Sequence, residues 1–453
     1  MKRESLALVL GLVLLSVQAF AGTKTWTDGT SDHQWQTGGN WSPAGIPGAS
    51  SNDVYITDAA PANSTQAVLA ASISLNTLTF DKSTDFTLAG GGEGGYRIVG
   101  SCIVTAKQAQ VYVLPELNFI SSDKIFDVAG GGKVVMTPGW ATDSSLGQGT
   151  VLQKGRGTVW VRNHYGTAIH WKFGTGADGG GTLAYTMAHA PTVAMEGYGN
   201  VSVWGYSPGN GERLYLWPLS GYTGVVTTIG ADNGMAGILF TNDSNVLKDF
   251  NITLDDTAGA ANPPSIIEAI RYGNSRDWAW TNVTLSGAGR VIISDTAGGE
   301  YWWRSTNKKL TLSGCKVAPG GVGRVMNLYA DVDFQANGTT PTTLSIAISN
   351  NVCDKVAVLM CHTDASVTPG PVSSGISPNR LANCALDLTV TKGDYTGRTF
   401  TNLTTSSDLS GGAHFFGSVS LHGAKATINY LNGKVTLTGV EAPKPAGTVV
   451  LLR

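Results

Sequence analysis

The sequence predicts an all-β fold, a right-handed parallel β-helix (β-solenoid) with an N-terminal Trp-rich cap, and three observations lead there. Short β-branched phrases closed by glycine recur, such as Leu78-Thr79-Phe80, Phe86-Thr87-Leu88-Ala89-Gly90 and Val151-Leu152-Gln153-Lys154-Gly155, the form expected of stacked turns. The 59 glycines and the 14% share of charged residues depart from the roughly 7% Gly and about 25% charge of an average soluble domain, as a turn-dense chain does. A four-residue phrase returns as Asn251-Ile252-Thr253-Leu254, Asn282-Val283-Thr284-Leu285 and Lys309-Leu310-Thr311-Leu312, at offsets of 31 and 27 residues. Those offsets fall in the band of roughly 20 to 50 residues that marks solenoid arrays, and their inequality suits coils with loops of variable length. An antiparallel sandwich needs no such recurrence.

Taken in order, Lys2 and Arg3 precede an apolar run from Leu6 to Val17, and Ala19-Phe20-Ala21 gives way to Gly22. This is the layout of a secretory signal over residues 1–21, with cleavage after Ala21. The run of 12 residues is short of the roughly 20 that a spanning helix needs, so no transmembrane segment is expected after cleavage. Residues 22–65 hold Trp26, Trp35 and Trp41 among Gly, Ser and Pro, and read as a cap over the open end of the stack. A sugar-binding patch on the same three rings is the competing reading. From 66 to 385, strands of three to seven residues alternate in the manner of Val111-Tyr112-Val113, Val201-Ser202-Val203 and Val332-Asp333-Phe334. Helical spacing survives only over Pro264–Tyr272, where Ile266, Ile267 and Ile270 share a face and a short surface excursion is expected. Residues 386–453 carry the last coils and closing strands. One array can absorb this whole length, because each coil touches only its neighbours.

A formal net charge of −2, with no Lys/Arg block, gives no electrostatic hold on nucleic acid or anionic lipid, and neither is an expected partner. Cys102, Cys315, Cys353, Cys361 and Cys384 are an odd set, so in an oxidising compartment at least one stays unpaired or pairs between chains. A local bridge among Cys353, Cys361 and Cys384, and burial of all five as small core residues, are both open. The seven histidines show no pair at metal-ligand spacing, so no metal or cofactor is expected. Gly174 to Gly180 has the letters of a Gly/Asp calcium turn but occurs once, and reads as a loop. Inward Asn residues can stack as amide ladders at coil corners.

Thr77-Leu78-Thr79-Phe80 and Leu152-Gln153-Lys154-Gly155-Arg156-Gly157-Thr158-Val159-Trp160-Val161 resemble the leading-strand phrase and the lysine, double-glycine strand motif of the autotransporter-associated β-strand repeat family of bacterial exported proteins. Trp26 to Ile56 is similar to that family's Trp-containing leader, and Ala426 to Thr438 to its closing strands. Val159 and Trp160 stand where the motif has small alternating residues, no Asn-Thr-Tyr-Thr-Gly segment follows, and residues 165–385 are covered only loosely. The resemblance implies a parallel β-helix with a secreted or bacterial cell-surface life, whose repeats act as stalk and folding scaffold without catalytic residues. No β-barrel translocator follows Val449–Arg453, so release, or retention by another component, is expected.

Two sets of residues carry the functional expectations. Trp278 and Trp280 fall on one side of a strand, and Tyr301, Trp302, Trp303 and Arg304 on what would be the next coil. Flat indoles pack well against the C–H faces of sugars, so these six are the expected ligand-binding platform for a polysaccharide or cell-surface glycan; core packing is the alternative. Catalysis in such a fold would use carboxylates on adjacent coils, and Asp331 with Asp333, or Asp255 with Asp256, are the candidates. The Gly-His-Gly and Arg-Ile-Lys phrases of pectin hydrolases are absent from the sequence. The expected function is a secreted or surface-exposed structural and adhesive protein; the alternative is a β-helical polysaccharide lyase or glycoside hydrolase.

Overall fold

A computed structural model describes residues 22–90, 96–98, 100–108, 110–114, 117–119, 123–136, 149–165, 168–204, 213–219, 221–229, 237–240, 246–249, 251–255, 266–269, 277–293, 309–320, 323–359, 381–408 and 415–444. Residues 1–21, where a signal is expected, and the C-terminal Val449–Arg453 lie outside them.

The described chain is all-β, and it travels back and forth between two long parallel ladders. Ladder A begins with Thr23–Trp26 beside Asp53–Thr57 and continues through Thr77–Asp81 to Lys355–Leu359 and Thr399–Asp408. Ladder B begins with Gln66–Leu69 beside Phe86–Gly90 and reaches Cys384–Val390 beside Ser418–Ser420. A parallel pair cannot be closed by a tight turn, so the strands of each ladder are separated in sequence by a visit to the other. Near the N-terminus the interval is regular: Asp53 pairs with Thr77, Leu78 with Cys102 and Cys102 with Phe126, each 24 residues on. Parallel pairing therefore starts inside the stretch expected to form the cap and continues past residue 385.

Two short sheets add a third side, each over part of the length. Ile73–Leu75, Tyr96–Ile98 and Leu117–Phe119 lie on the path from ladder B to ladder A, whereas Val246–Lys248, Trp278–Thr281, Lys309–Ser313 and Asp331–Gln335 lie on the path from A to B. Between them, Gly181–Glu196 runs through both ladders, pairing with Gly199–Trp204 in one and Ala168–Phe173 in the other. The register slips between His189 and Thr192, where Pro191 has no N–H to give to a ladder.

Alternation decides what is inside. Ile56, Phe80, Val104 and Val128 are in register in ladder A and all are buried; each such side chain contributes about 1.5–3 kcal/mol through burial. At the N-terminal end Trp26, Trp35 and Trp41 are buried, with Trp41 edge-on to the other two at 4.9 and 4.6 Å. Every indole N–H is used: Trp26 donates to Ser64 Oγ at 3.0 Å, Trp35 to the Pro47 carbonyl at 3.2 Å and Trp41 to the Trp35 carbonyl at 2.8 Å. Buried rings cannot form a sugar patch, so these three are core residues beside the first strand of ladder A.

At the other end Lys425–Glu441 pairs antiparallel with Thr399–Asp408. It doubles back on itself, since Lys425 Nζ meets Glu441 Oε2 at 2.9 Å and Asn429 Nδ2 donates to Thr438 Oγ1 at 2.9 Å. Sixteen residues of straight strand would separate the first pair by roughly 50 Å. The bend falls at Asn432-Gly433, where Gly433 has φ 69°, a favoured hairpin turn.

Two expectations are corrected. Ile266–Ala269 is a strand of ladder A beside Gly289–Ile293, not part of a helical excursion; a run this short cannot offset helix nucleation, and its paired isoleucines suit a strand. The repeated phrase is also out of step with the stacking. Asn251 pairs with Thr284, 33 residues on, and Lys309–Ser313 stacks on Trp278–Thr281 in the third-side sheet. The true interval differs from the apparent 31 by two, which leaves the inward positions unchanged and hides the shift.

The closeness of successive corners gives a direct test. Gly287 has φ 92°, and a Cβ there would lie 1.8 Å from the Leu254 carbonyl oxygen, whereas Gly338, at φ 61°, faces open space. Gly287→Ala is expected to lower stability by at least about 3 kcal/mol and Gly338→Ala by about 1 kcal/mol, measured as shifts of the first urea transition. Equal shifts would show that the corner is not close-packed.

Candidate functional site

The edge where the chain passes towards ladder B carries a line of polar corner residues. Asp249, Asn282 and Gly314 occupy one position on three successive passages and have φ 60°, 53° and 60°. Asp and Asn tolerate this left-handed conformation better than other side chains, and glycine adopts it freely. Their backbone N–H groups donate along the stack, to the carbonyls of Thr281, Ser313 and Gln335 at 3.1, 3.0 and 3.1 Å. Side chains repeat the pattern: Asn337 Nδ2 donates to Asn282 Oδ1 and Asn282 Nδ2 to Asp249 Oδ1, both at 2.8 Å. These side chains are exposed, so the ladder they form lies on the solvent side and not inward as expected.

Further along the same edge a surface cleft of about 320 Å³ is lined by Tyr198, Asn200, Thr223, Gly224, Val225, Asp249, Asn251 and Asn282. Its one aromatic wall is Tyr198, which is 50% exposed. Glycines set that ring in place. Gly180 N donates to the Tyr198 carbonyl at 2.7 Å, and a Cβ on Gly179 or Gly180 would come within 3.0 or 3.3 Å of the ring. The tyrosine therefore rests against the preceding turn. Below it the corners approach closely: Gly224 has φ 150° and its Cβ would lie 1.9 Å from the Gly199 carbonyl oxygen. Asn200 Oδ1 accepts from Val225 N at 3.2 Å, and Lys248 Nζ lies 3.7 Å from Asp249 Oδ2. The cleft thus offers an aromatic face beside amides and one carboxylate, the mixture that suits a polyhydroxylated ring.

The sequence-derived candidates lie elsewhere. Trp278 and Trp280 do share a face, but it is the core face: both are buried, in register with Leu310 and Leu312 and then Val332 and Phe334. They are corrected from ligand platform to core. Tyr301, Trp302, Trp303 and Arg304 lie outside the described residues, as does Asp256. Asp255 is half-buried at the end of Asn251–Asp255. Asp331 and Asp333 share a face as expected, yet Asp333 is fully buried beneath the turn Leu381–Asn383, with Lys309 Nζ at 2.7 Å and Gln335 Nε2 donating at 3.0 Å. That arrangement is an ion pair between neighbouring strands, not two carboxylates facing a substrate.

Ser420, His422 and Asp387 have the residue types of a hydrolytic triad but not its geometry. Ser420 Oγ at 3.4 Å and Asp387 Oδ1 at 2.5 Å both approach His422 Nε2, whereas a triad places serine and acid on opposite ring nitrogens. Among the described residues no group of three or more His, Cys, Asp or Glu side chains could hold a metal ion. Cys102, Cys315, Cys353 and Cys384 are free thiols, and Cys361 lies outside the described residues. Burial pushes Cys102 and Cys353 up to about 12 and Cys315 up to about 11, and raises Cys384 as well.

Tyr198 and the corner residues escaped sequence reasoning, although one signal was available. Asp249, Asn282 and Gly314 each follow a short strand and precede the next by one residue, at intervals of 33 and 32. No family model matches the chain, and neither a curated protein nor a solved structure matches it.

The thiols provide a check on the core. In a Cys361→Ser variant at pH 8, a disulfide reagent should find no fast-reacting thiol in the native protein and four after unfolding in urea. With a thiol at about 12, only about one molecule in ten thousand carries the thiolate at that pH. A rapid native-state burst would contradict the burial of these side chains.

Proposed function

We propose that this chain is a secreted or surface-held right-handed parallel β-helix of the autotransporter-associated repeat kind, acting as a structural and adhesive element that contacts polysaccharide. The observation that carries the adhesive part is Tyr198: a half-exposed ring seated on a glycine shelf, at the head of a cleft whose other walls are Asn200, Asn251, Asp249 and Asn282. With Thr223, Gly224 and Val225, stacked coils bring the lining together from four passages of the chain, so recognition depends on the stack being formed. The scaffold part is supported by the length of the two ladders and by the packing of Trp26, Trp35 and Trp41 into the core. The signal-like N-terminus supports export.

A glycan array with the intact protein tests this directly. Tyr198→Ala is expected to weaken the best-binding glycan about tenfold, the loss of roughly 1.4 kcal/mol of stacking and burial, without moving the thermal transition. Trp278→Ala is expected to do the opposite, lowering stability by about 3–5 kcal/mol as a core truncation while the folded fraction still binds. Unchanged binding in the Tyr198 variant would remove the cleft from consideration. Release of reducing ends or unsaturated products from a polysaccharide panel would overturn the non-enzymatic reading in favour of the lyase or hydrolase alternative.

A further inference from the structure

Ladder B carries a second cluster on its outer face. Val159 and Val161 are buried inwards, so Trp160 and Arg162, on the alternate positions of Thr158–Tyr165, share the outward side. Lys133 comes from the adjoining strand, where it pairs with Thr158. Its Nζ lies 3.9 Å from the centre of the Trp160 ring, and Arg162 Cζ lies 5.0 Å from it. The two cations are therefore no more than 8.9 Å apart, the sum of those distances. Trp160 Nε1 donates to Thr186 Oγ1 at 2.7 Å, which fixes the indole that gathers them.

Two like charges gathered on one ring repel each other, and among the described residues no acidic side chain is paired with them in register. Thr158 lies beside Lys133, Val135 and Ala184 beside Trp160, and Thr186 beside Arg162. Burial pulls the Lys133 ammonium below the ordinary lysine range, and the charge of Arg162 pulls it the same way. An arriving anion would be attracted by both cations and would screen each from the other. A guanidinium also presents two parallel N–H donors to a carboxylate or sulfate, and the ammonium adds a point charge.

We propose that Lys133, Trp160 and Arg162 form a binding site for the anionic group, carboxylate or sulfate, of an acidic polysaccharide. The anion preference stands on this cluster alone; its assignment to a glycan rests on the cleft reading. Lys133 pairs with Thr158, Thr158 with Thr182 and Thr182 with Asn200, so Lys133 lies three strand spacings, roughly 14 Å, from a residue that lines the cleft. A chain of sugars can reach both. Nucleic acid would need a longer row of phosphate contacts than two cations provide.

Titration calorimetry on the intact protein tests the site, with polygalacturonate oligosaccharides, dextran sulfate, neutral dextran and single-stranded DNA as probes at low and high salt. At least one acidic glycan should bind more tightly than neutral dextran, and added salt should erase the difference. Lys133→Gln and Arg162→Gln should each reduce acidic-glycan affinity by about tenfold, with the thermal transition unmoved; comparing polygalacturonate with dextran sulfate identifies the preferred anion. Tyr198→Ala should leave the ratio of acidic to neutral affinity unchanged. The site is refuted if the double variant binds acidic glycans as the parent does, if neither acidic glycan binds, or if single-stranded DNA binds more tightly than both. Loss of binding in Tyr198→Ala with silent charge variants would sustain the cleft and sink this site; the reverse result would sink the cleft alone.

Discussion

In-register parallel pairing is the constraint on which the rest of this molecule depends. Each strand finds its hydrogen-bond partner one full circuit of the chain away, so register must be carried across every corner. Where it is carried, inward residues line up in an apolar column as Ile56, Phe80, Val104 and Val128 do. A slip of one residue would turn such a column towards solvent, which is why the strands hold register while the corners vary. The slip at His189–Thr192 is accommodated inside one strand that serves both ladders.

Corners pay for this regularity in conformation. Successive backbones approach until a Cβ cannot fit, as at Gly224 and Gly287, or turn through the left-handed region, as at Asp249 and Asn282. The third side moves from the B-to-A path in the N-terminal part to the A-to-B path in the C-terminal part. The cleft sits at that change: Tyr198 and Thr223 belong to corners that connect the ladders directly, and Asp249 and Asn282 to corners that follow a third-side strand. Irregularity in the cross-section and a recess on the surface coincide there.

Much of the parallel architecture was legible in the sequence because period-two alternation and glycine punctuation are local signals. The strands around Val113 and Val203 follow them closely, whereas those around Phe80 and Phe334 also bury the intervening Thr79 and Asp333. The exact interval was not legible, since a shift of two residues preserves the inward pattern; Asn251 therefore seemed to answer Asn282 although it pairs with Thr284. Trp278 and Trp280 show the matching difficulty with faces. Alternation places both rings on one side but does not say which side is inside, and only their alignment with Leu310 and Leu312 decides it. The cleft depends on residues from separate passages, so no local pattern could assemble it.

These same rules separate structural from functional positions. Inward sites are constrained by volume and by their stacked neighbours, and large apolar residues there need no further explanation. Outward sites of ladder B are under no such demand, and Thr227, Thr253 and Ser286 fill three successive ones with small β-forming or hydroxylated side chains. An outward indole flanked by two cations contributes little that the ladder requires, and its like charges oppose each other. Cation–π attraction to Trp160 holds Lys133 and Arg162 on one ring, and the repulsion between the two charges that this leaves is what the proposed anion would relieve. Departures from alternation on the outer face, and side chains displayed at close-packed corners, are where chemistry should be sought in a chain built this way.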